Sequence, residues 1–257
     1  MSTLTGVLGF PVAHSRSPAM MAAAFAELGL DWRYLKLPVP PDRFAETASA
    51  LPASGYRGAN VTIPHKLAAH ALADERTPAA AAIGAANTLT FEDGRVLADN
   101  TDAGGLLDAL GEDVHGRAAL VLGAGGAGRA AVWALREAGA EVAVWNRTPE
   151  RARELASELG VAHAERPGRP ADVLVNATSL GLDGEDLPAE LGPEPAAVVL
   201  DLVYGDQPTA LCRWAEAHGA RVVEGLEVLV RQGARSLERW TGRTAPLDAM
   251  RRAARDV

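Results

Sequence analysis

A single cysteine, Cys212, stands among 257 residues. It has no partner for an internal disulfide, and such usage suits a reducing compartment, so a cytoplasmic location is expected. No cysteine pair can start a zinc site. His14, His65, His70, His115, His163 and His218 show no HExxH or comparable ligand spacing, and no metal is expected. Positive charge is also in short supply: 25 Lys and Arg against 33 Asp and Glu leave a formal net charge of −8. Nucleic acids and membrane surfaces require a basic face, so neither is expected as a partner. No apolar run is long enough to span a bilayer, and no basic, then apolar, then small-residue leader opens the sequence. The sequons at Asn60, Asn146 and Asn176 carry no meaning for glycosylation without secretion. Internal repeats are missing, and alanine enrichment is the only compositional bias. What remains is an ordinary globular composition, 48% hydrophobic and 23% charged. The chain is long enough to bury one large core or two moderate ones.

Within that composition the stretch 118–148 organises the rest. Residues 118–122 form a short apolar run that reads as a buried strand. Gly123-Ala124-Gly125-Gly126-Ala127-Gly128 follows and fits G-x-G-x-x-G. An alanine-rich amphipathic helix then runs to about Gly139, and residues 141–145 close a βαβ unit. In such a unit one glycine makes the tight turn, one lets the backbone approach a pyrophosphate, and one lets helix and strand pack closely. The helix N-terminus offers free N–H groups and partial positive charge to phosphates. The end of the second strand then selects the nucleotide. An NAD-binding unit usually places Asp or Glu there to hold the ribose 2′-hydroxyl. Here Asn146-Arg147-Thr148 stands instead, with Arg151 one turn later, and guanidinium groups suit a 2′-phosphate. NADP(H) is the expected cofactor. Thr148-Pro149-Glu150 also reads as a helix start, with Thr148 as N-cap and Pro149 in the first helical position; the two readings are compatible.

Upstream, strands at 4–9, 32–37 and 58–63 alternate with helices at 18–28 and 42–51, and further helical segments reach residue 83. Asp93-Gly94 between residues 87–91 and 95–98 is a hairpin signal. A helix at 101–110 leads into the nucleotide unit. Downstream, 171–175 and 198–203 read as buried strands. They end in Asn176-Ala177-Thr178-Ser179 and Asp201-Leu202-Val203-Tyr204, turns that should rim a cofactor cleft at the strands' carboxyl ends. Residues 226–240 and 246 onward are helical and are expected to pack back on the first domain. The fold class is therefore α/β with two domains: an N-terminal α/β domain, residues 1–101 with 226–257, and a Rossmann-type doubly wound domain, residues 102–225.

Several polar side chains of the first domain could carry chemistry. Ser15 and Ser17 precede Pro18 at a helix start, where Ser17 reads as an N-cap and where two hydroxyls also make a carboxylate site. Asn60 and Thr62 are spaced by two and share a strand face. Lys66 stands just past that strand's end. Asn87 opens another strand, and Asp102 lies in a first helical turn, where the dipole favours a carboxylate. A lysine and an aspartate beside a nicotinamide would suit proton transfer coupled to hydride transfer at a carbonyl or secondary alcohol.

Taken in order, GFPVAHSRSP from Gly9, GANVTIPHK from Gly58, Ala86-Asn87-Thr88, Asn100-Thr101-Asp102, the glycine turn, Asn146-Arg147-Thr148, Asn176-Ala177-Thr178-Ser179 and GLEVLVRQ from Gly225 resemble the shikimate dehydrogenase family over nearly the whole chain. The resemblance implies a two-domain enzyme, its first domain binding substrate, that reduces 3-dehydroshikimate to shikimate with NADPH in aromatic amino-acid biosynthesis. A monomer or homodimer is expected. By the same resemblance, Ser15 and Ser17 hold the substrate carboxylate. Asn60, Thr62, Asn87, Tyr204 and Gln232 contact ring hydroxyls or carboxylate. Lys66 and Asp102 match the catalytic pair, and Leu202 and Gly225 match positions that touch the nicotinamide. Leu202 stands where methionine is common and Ala86 where valine is common; neither change removes a polar contact. Paralogues that oxidise quinate or use aminoshikimate share most of these blocks, although NAD-preferring quinate forms tend to carry an acid where this chain has Asn146-Arg147. A nucleotide-binding sensor without turnover is the alternative of a different class, and the intact Lys66 and Asp102 argue against it.

Overall fold

The structure, a computed structural model, describes residues 2–182, 191–192 and 195–256. Residues 1 and 257, the outer bounds of the first domain range, and ten positions inside 102–225 lie outside the described residues. The chain divides into two compact units, Met1–Gly105 with Leu229–Val257, and Leu106–Val228.

The first unit runs through β1 (Thr3–Gly9), α1 (Ser17–Glu27), β2 (Trp32–Pro38), α2 (Phe44–Ala50) and β3 (Tyr56–Val61), then α3 (Lys66–Leu72), β4 (Glu75–Arg76), α4 (Pro78–Ile83), β5 (Thr88–Glu92), β6 (Arg95–Asp99) and α5 (Thr101–Leu110). Its sheet has the order β2-β1-β3-β5-β6-β4. Strand β1 is parallel to β2 and β3, while β5 and β6 form an antiparallel hairpin against β3. The hairpin turn is Asp93-Gly94, with φ of 49° and 75°, the two positive values that a type I′ turn demands. In this register Asn60 faces Thr88, and Thr88 faces Asp99. The carboxyl ends of β1, β3 and β6 and the start of β5 therefore share one edge of the sheet. Leu8, Phe44, Ala59, Val61 and Leu89 form the core beneath it.

The second unit continues with β7 (Ala118–Leu122), α6 (Gly126–Glu137), β8 (Glu141–Trp145), α7 (Pro149–Leu159), β9 (Ala162–His163), β10 (Val173–Asn176), β11 (Val198–Asp201), α8 (Ala210–Ala217) and β12 (Arg221–Glu224). All the pairings described are parallel, in the order β12-β11-β10-β7-β8-β9. Counted along the unit this is the doubly wound order 3-2-1-4-5-6, whose switch point lies between β7 and β10. Alternate residues of the apolar runs enter opposite cores: Val121, Val175 and Leu200 on one face, Leu122, Leu174 and Val199 on the other. Burial on both faces is why these strands are nearly continuous in Val and Leu.

Two helices close the chain, α9 (Gly225–Thr241) and α10 (Leu247–Arg255). Trp240 of α9 donates its indole N–H to the Leu89 carbonyl of β5 at 3.1 Å, and α10 lies against α1. The structure adds β4, β9, β12 and α8 to the elements read from the sequence. It ends β3 two residues before Ile63, and it opens the 42–51 helix with a 3-10 turn. Among the described residues no helix is long and apolar enough to cross a membrane.

Candidate active site

The polar side chains of the first unit converge on the shared sheet edge. Lys66 is the first residue of α3, and its neighbour His65 fixes that start. The His65 ring stacks on Phe44 at 4.5 Å, and its Nε2 lies 2.7 Å from the Val39 carbonyl oxygen. Lys66 Nζ donates to Asp102 Oδ2 at 2.6 Å, and the two side chains are only 13% and 18% exposed. Asp102 is in the first turn of α5, where the helix dipole stabilises a carboxylate. Its other oxygen, Oδ1, accepts from Asn87 Nδ2 at 2.8 Å. Asn87 Nδ2 also reaches Thr101 Oγ1 at 3.0 Å and Gln232 Oε1 at 3.1 Å. Gln232 comes this close because α5 has glycine at the crossing with α9: a Cβ on Gly105 would sit 2.6 Å from the Gln232 nitrogen.

In the loop between β1 and α1, Ser15 Oγ accepts from the Ser17 N–H at 3.3 Å. Ser17 is the first residue of α1 and makes no capping bond, the cap position being Arg16; the reading of Ser17 as an N-cap is corrected accordingly. Both serines are buried, yet neither donates its hydroxyl hydrogen to a described residue. Thr62 follows β3 and is part-exposed. Asn60 differs from these, because its amide is engaged by protein at both ends. Oδ1 accepts from the Tyr34 hydroxyl at 2.8 Å, and Nδ2 lies 3.2, 3.1 and 2.8 Å from Asn87 O, Thr88 Oγ1 and Ser236 Oγ.

In the second unit the glycine turn connects β7 to α6. Gly123 has φ of +109°, and its N–H donates to Trp145 O at 2.7 Å. A Cβ on Gly128 would lie 2.0 Å from the Gly123 carbonyl oxygen, so helix and turn touch backbone to backbone. Gly125 caps α6 with extended backbone and no capping side chain, and a Cβ there would meet nothing within 4 Å. Uncapped N–H groups at a helix start, facing open space, fit a pyrophosphate. Asn146 Oδ1 accepts from the Ala124 N–H at 3.2 Å, and its Nδ2 donates to Thr148 O at 3.0 Å. The end of β8 is thereby tied to the turn. Arg147 and Arg151 are exposed, and among the described residues their guanidinium groups have no partner. Thr148 occupies the N-cap of α7 with Pro149 at the helix start, as read from the sequence, although its side chain makes no capping bond.

The carboxyl ends of β10 and β11 are joined by a buried pair that the sequence did not single out. Asp201 is fully buried; its Oδ1 accepts from Asn176 Nδ2 at 2.8 Å and Val203 N at 3.1 Å, and its Oδ2 accepts from Thr209 at 2.6 Å. Burial pushes its carboxyl above the ordinary value, against the opposing pull of these bonds. Asn176 Oδ1 in turn accepts the backbone and hydroxyl hydrogens of Thr178 at 3.1 and 2.7 Å. Thr178 and the Leu202 turn are thus held in register. Gly225 lies against that turn, where a Cβ would sit 2.6 Å from Leu202 O. Tyr204 belongs to this unit, three residues past Asp201. Among the described residues no group of three or more His, Cys, Asp or Glu side chains could hold a metal ion.

Known proteins resemble the chain along its length. A family model for the shikimate dehydrogenase substrate binding domain matches residues 7–89, one for shikimate/quinate 5-dehydrogenase matches 106–179, and one for the shikimate 5′-dehydrogenase C-terminal domain matches 225–255. The shikimate dehydrogenase (NADP(+)) of Anaeromyxobacter dehalogenans strain 2CP-1 is 48% identical over 270 residues, covering 98% of this chain and 95% of its own. The crystal structure of a Thermus thermophilus shikimate 5-dehydrogenase in complex with NADP(H) and shikimate has a TM-score of 0.91 at 46% identity, covering 99% of both chains. A ligand-free 5-ketofructose reductase from Gluconobacter sp. strain CHM43 is more distant, with a TM-score of 0.86 at 31% identity, covering 100% of this chain and 99% of its own.

Proposed function

The chain belongs to the shikimate dehydrogenase family, and on that premise we propose that it interconverts 3-dehydroshikimate and shikimate with NADP(H) in the cytoplasm, as a monomer or homodimer. The observation that carries this reading is the Lys66–Asp102 ion pair at 2.6 Å with Asn87 on its other carboxylate oxygen. NADP(H), when bound, supplies or accepts the hydride. In reduction the Lys66 ammonium gives its proton to the oxygen on which negative charge builds; in oxidation the amine takes it back. Asp102 aims Nζ, and Asn87 aims Asp102. The unused hydroxyl hydrogens of Ser15 and Ser17, at the start of α1, suit the substrate carboxylate. Thr62 and Gln232 serve its remaining oxygens, while Asn87, its two amide hydrogens held by Thr101 and Asp102, acts through Asp102. Asn60, whose nitrogen is taken by three protein acceptors, offers only the remaining lone pair of Oδ1.

For the cofactor, the N–H groups of residues 125–128 hold the pyrophosphate, Gly123 and Ala124 shape the turn that brings them there, and Asn146 and Thr148 brace the ribose side. Arg147 and Arg151 meet the 2′-phosphate, while Thr178, Leu202 and Gly225 line the nicotinamide end. Initial rates with shikimate and quinate, each with NADP and NAD, test the function. Shikimate with NADP is expected to be fastest. Faster quinate turnover would reassign the substrate, and nucleotide binding with no turnover of either would leave a sensor.

Cofactor choice gives a sharper expectation. Arg147→Ala should weaken NADP by about 1.5–3 kcal/mol, the size of a charge-assisted hydrogen bond, and leave NAD nearly unchanged. Fluorescence titration with both nucleotides checks this; equal losses would make Arg147 an ordinary surface residue.

A further inference from the structure

We propose that Ser236 is a positioning residue for the Lys66–Asp102 pair, acting through a one-way chain of buried hydroxyls that ends on Asn87. The inference rests on the function proposed for that pair. Ser236 lies on α9, one turn past Gln232, and is 0% exposed. Its Oγ donates to the Gln232 main-chain oxygen at 3.1 Å. A serine hydroxyl has one hydrogen, so every other contact of that oxygen is an acceptance. It accepts from Asn60 Nδ2 at 2.8 Å and from Thr88 Oγ1 at 2.9 Å, and Thr101 Oγ1 stands 3.2 Å away.

The direction of the rest follows. With its hydrogen on Ser236, Thr88 can only accept at its 3.1 Å contact with Thr101 Oγ1, which is shorter than the 3.2 Å from Thr101 Oγ1 to its other acceptor, Asn87 Oδ1. Thr101, its hydrogen so directed, accepts from Asn87 Nδ2 at 3.0 Å. The bonds therefore run Asn87 to Thr101 to Thr88 to Ser236 to the Gln232 carbonyl, which can only accept. Asn87 is thereby held with its nitrogen toward this chain, and the same nitrogen donates to Asp102 Oδ1 at 2.8 Å. Its Oδ1 is fixed from the opposite side by the Thr101 N–H at 2.7 Å. A flipped amide would set its oxygen against the Asp102 carboxylate and its NH2 against the Thr101 N–H, acceptor on acceptor and donor on donor. Ser236 supplies the acceptor that gives the chain its sense. Without it the Thr88 hydrogen falls back on Asn87 Oδ1, at 3.2 Å, and competes there with the Thr101 N–H. Aim at Asp102, and through it at Lys66 Nζ, is then loosened.

Ser236→Ala removes one buried hydroxyl at a helical position that alanine suits. Expected is a fall in kcat for shikimate oxidation of about 3- to 10-fold, the scale of one buried hydrogen bond, with KM for shikimate and for NADP within about twofold. In an Asn87→Ala background the same substitution should cost nothing further, because the chain then has no end to orient. A merely structural serine would instead give the same loss in both backgrounds. If Ser236→Ala is not recovered folded, Ser236→Cys, close in volume but a weak donor and acceptor, replaces it in both arms. Unchanged kcat, a loss confined to KM, or losses that multiply in the double variant would each overturn the inference. Absence of shikimate turnover in the unmodified protein would instead defeat the proposed function, and this inference with it.

Discussion

Replacing Lys66 with alanine lowers kcat for shikimate by about 10²–10⁴-fold, the usual contribution of a general acid–base group, while KM for shikimate moves far less. The expectation is chemical because the local fold does not depend on this side chain. The start of α3 is fixed by His65 against Phe44 and Val39, and the Lys66 main-chain oxygen accepts from the Ala86 N–H at 2.9 Å whatever the residue is. Alanine is also favourable in a helix. Asp102 keeps its Asn87 bond but has no cation to aim. Lys66→Arg retains positive charge on a group that does not give up its proton in proteins, so it should fail to restore oxidation. Stopped assays beside a thermal melt separate lost chemistry from lost folding. Wild-type kcat in folded Lys66→Ala would move the proton-carrying role to Asp102.

Paired alanine substitutions in the glycine turn should have the next largest effects, and of different kinds. In Gly128→Ala the new methyl would lie 2.0 Å from the Gly123 oxygen and 2.7 Å from its carbon. Backbone cannot swing aside as a side chain can, so α6 must shift or the turn must open. Overpacking of this sort typically costs about 1–3 kcal/mol and can cost more; both melting temperature and NADP affinity should fall. Gly125→Ala adds a methyl with nothing within 4 Å, at an extended residue of φ −84°. Its melting temperature should stay put while NADP affinity drops at least about tenfold, since only a bound pyrophosphate would meet the methyl. Calorimetry and nucleotide titration on both variants give the comparison. Wild-type affinity in Gly125→Ala would mean that no ligand approaches the turn there.

The βαβ unit could be read from sequence because its signals are local. Apolar runs, glycine spacing and an amphipathic period located β7, α6 and β8 closely, and Asp93-Gly94 located the hairpin. Elements without such signals escaped. β4 and β9 are two residues long, and β12 shows Arg221 and Glu224 at its exposed ends, with neither alternation nor an apolar run. The cap assigned to Ser17 failed for a related reason. A serine before a helix advertises a cap, but whether its hydroxyl reaches an N–H depends on loop geometry that the residue type does not set. At α1 the cap position falls to Arg16, and the serine oxygen that accepts an N–H is that of Ser15. Lys66, Asp102, Asn87 and Gln232 were legible through family motifs. The support behind them was not: Thr88 and Ser236 are 148 positions apart, and Asn60 and Ser236 are 176 apart. Asp201 was read only as part of a strand-end turn, because its partner Asn176 sits on a separate strand.

The discontinuous make-up of the first unit sets the order in which the molecule can be assembled during synthesis. Its sheet leaves the ribosome before Leu106–Val228, but Leu229–Val257 follows only after the whole of that unit. Until then β5 lacks the Trp240 indole on Leu89, a contact spanning 151 positions, and α1 lacks α10 beside it. The intervening unit is continuous and can close its own parallel sheet first. At about 5–20 residues per second, the earlier sheet waits on the order of ten seconds with apolar surface uncovered. The helices made after the intervening unit are thus the ones that end its exposure to aggregation and proteolysis, and a nascent chain stalled before Leu229 would display that surface for as long as it stayed stalled.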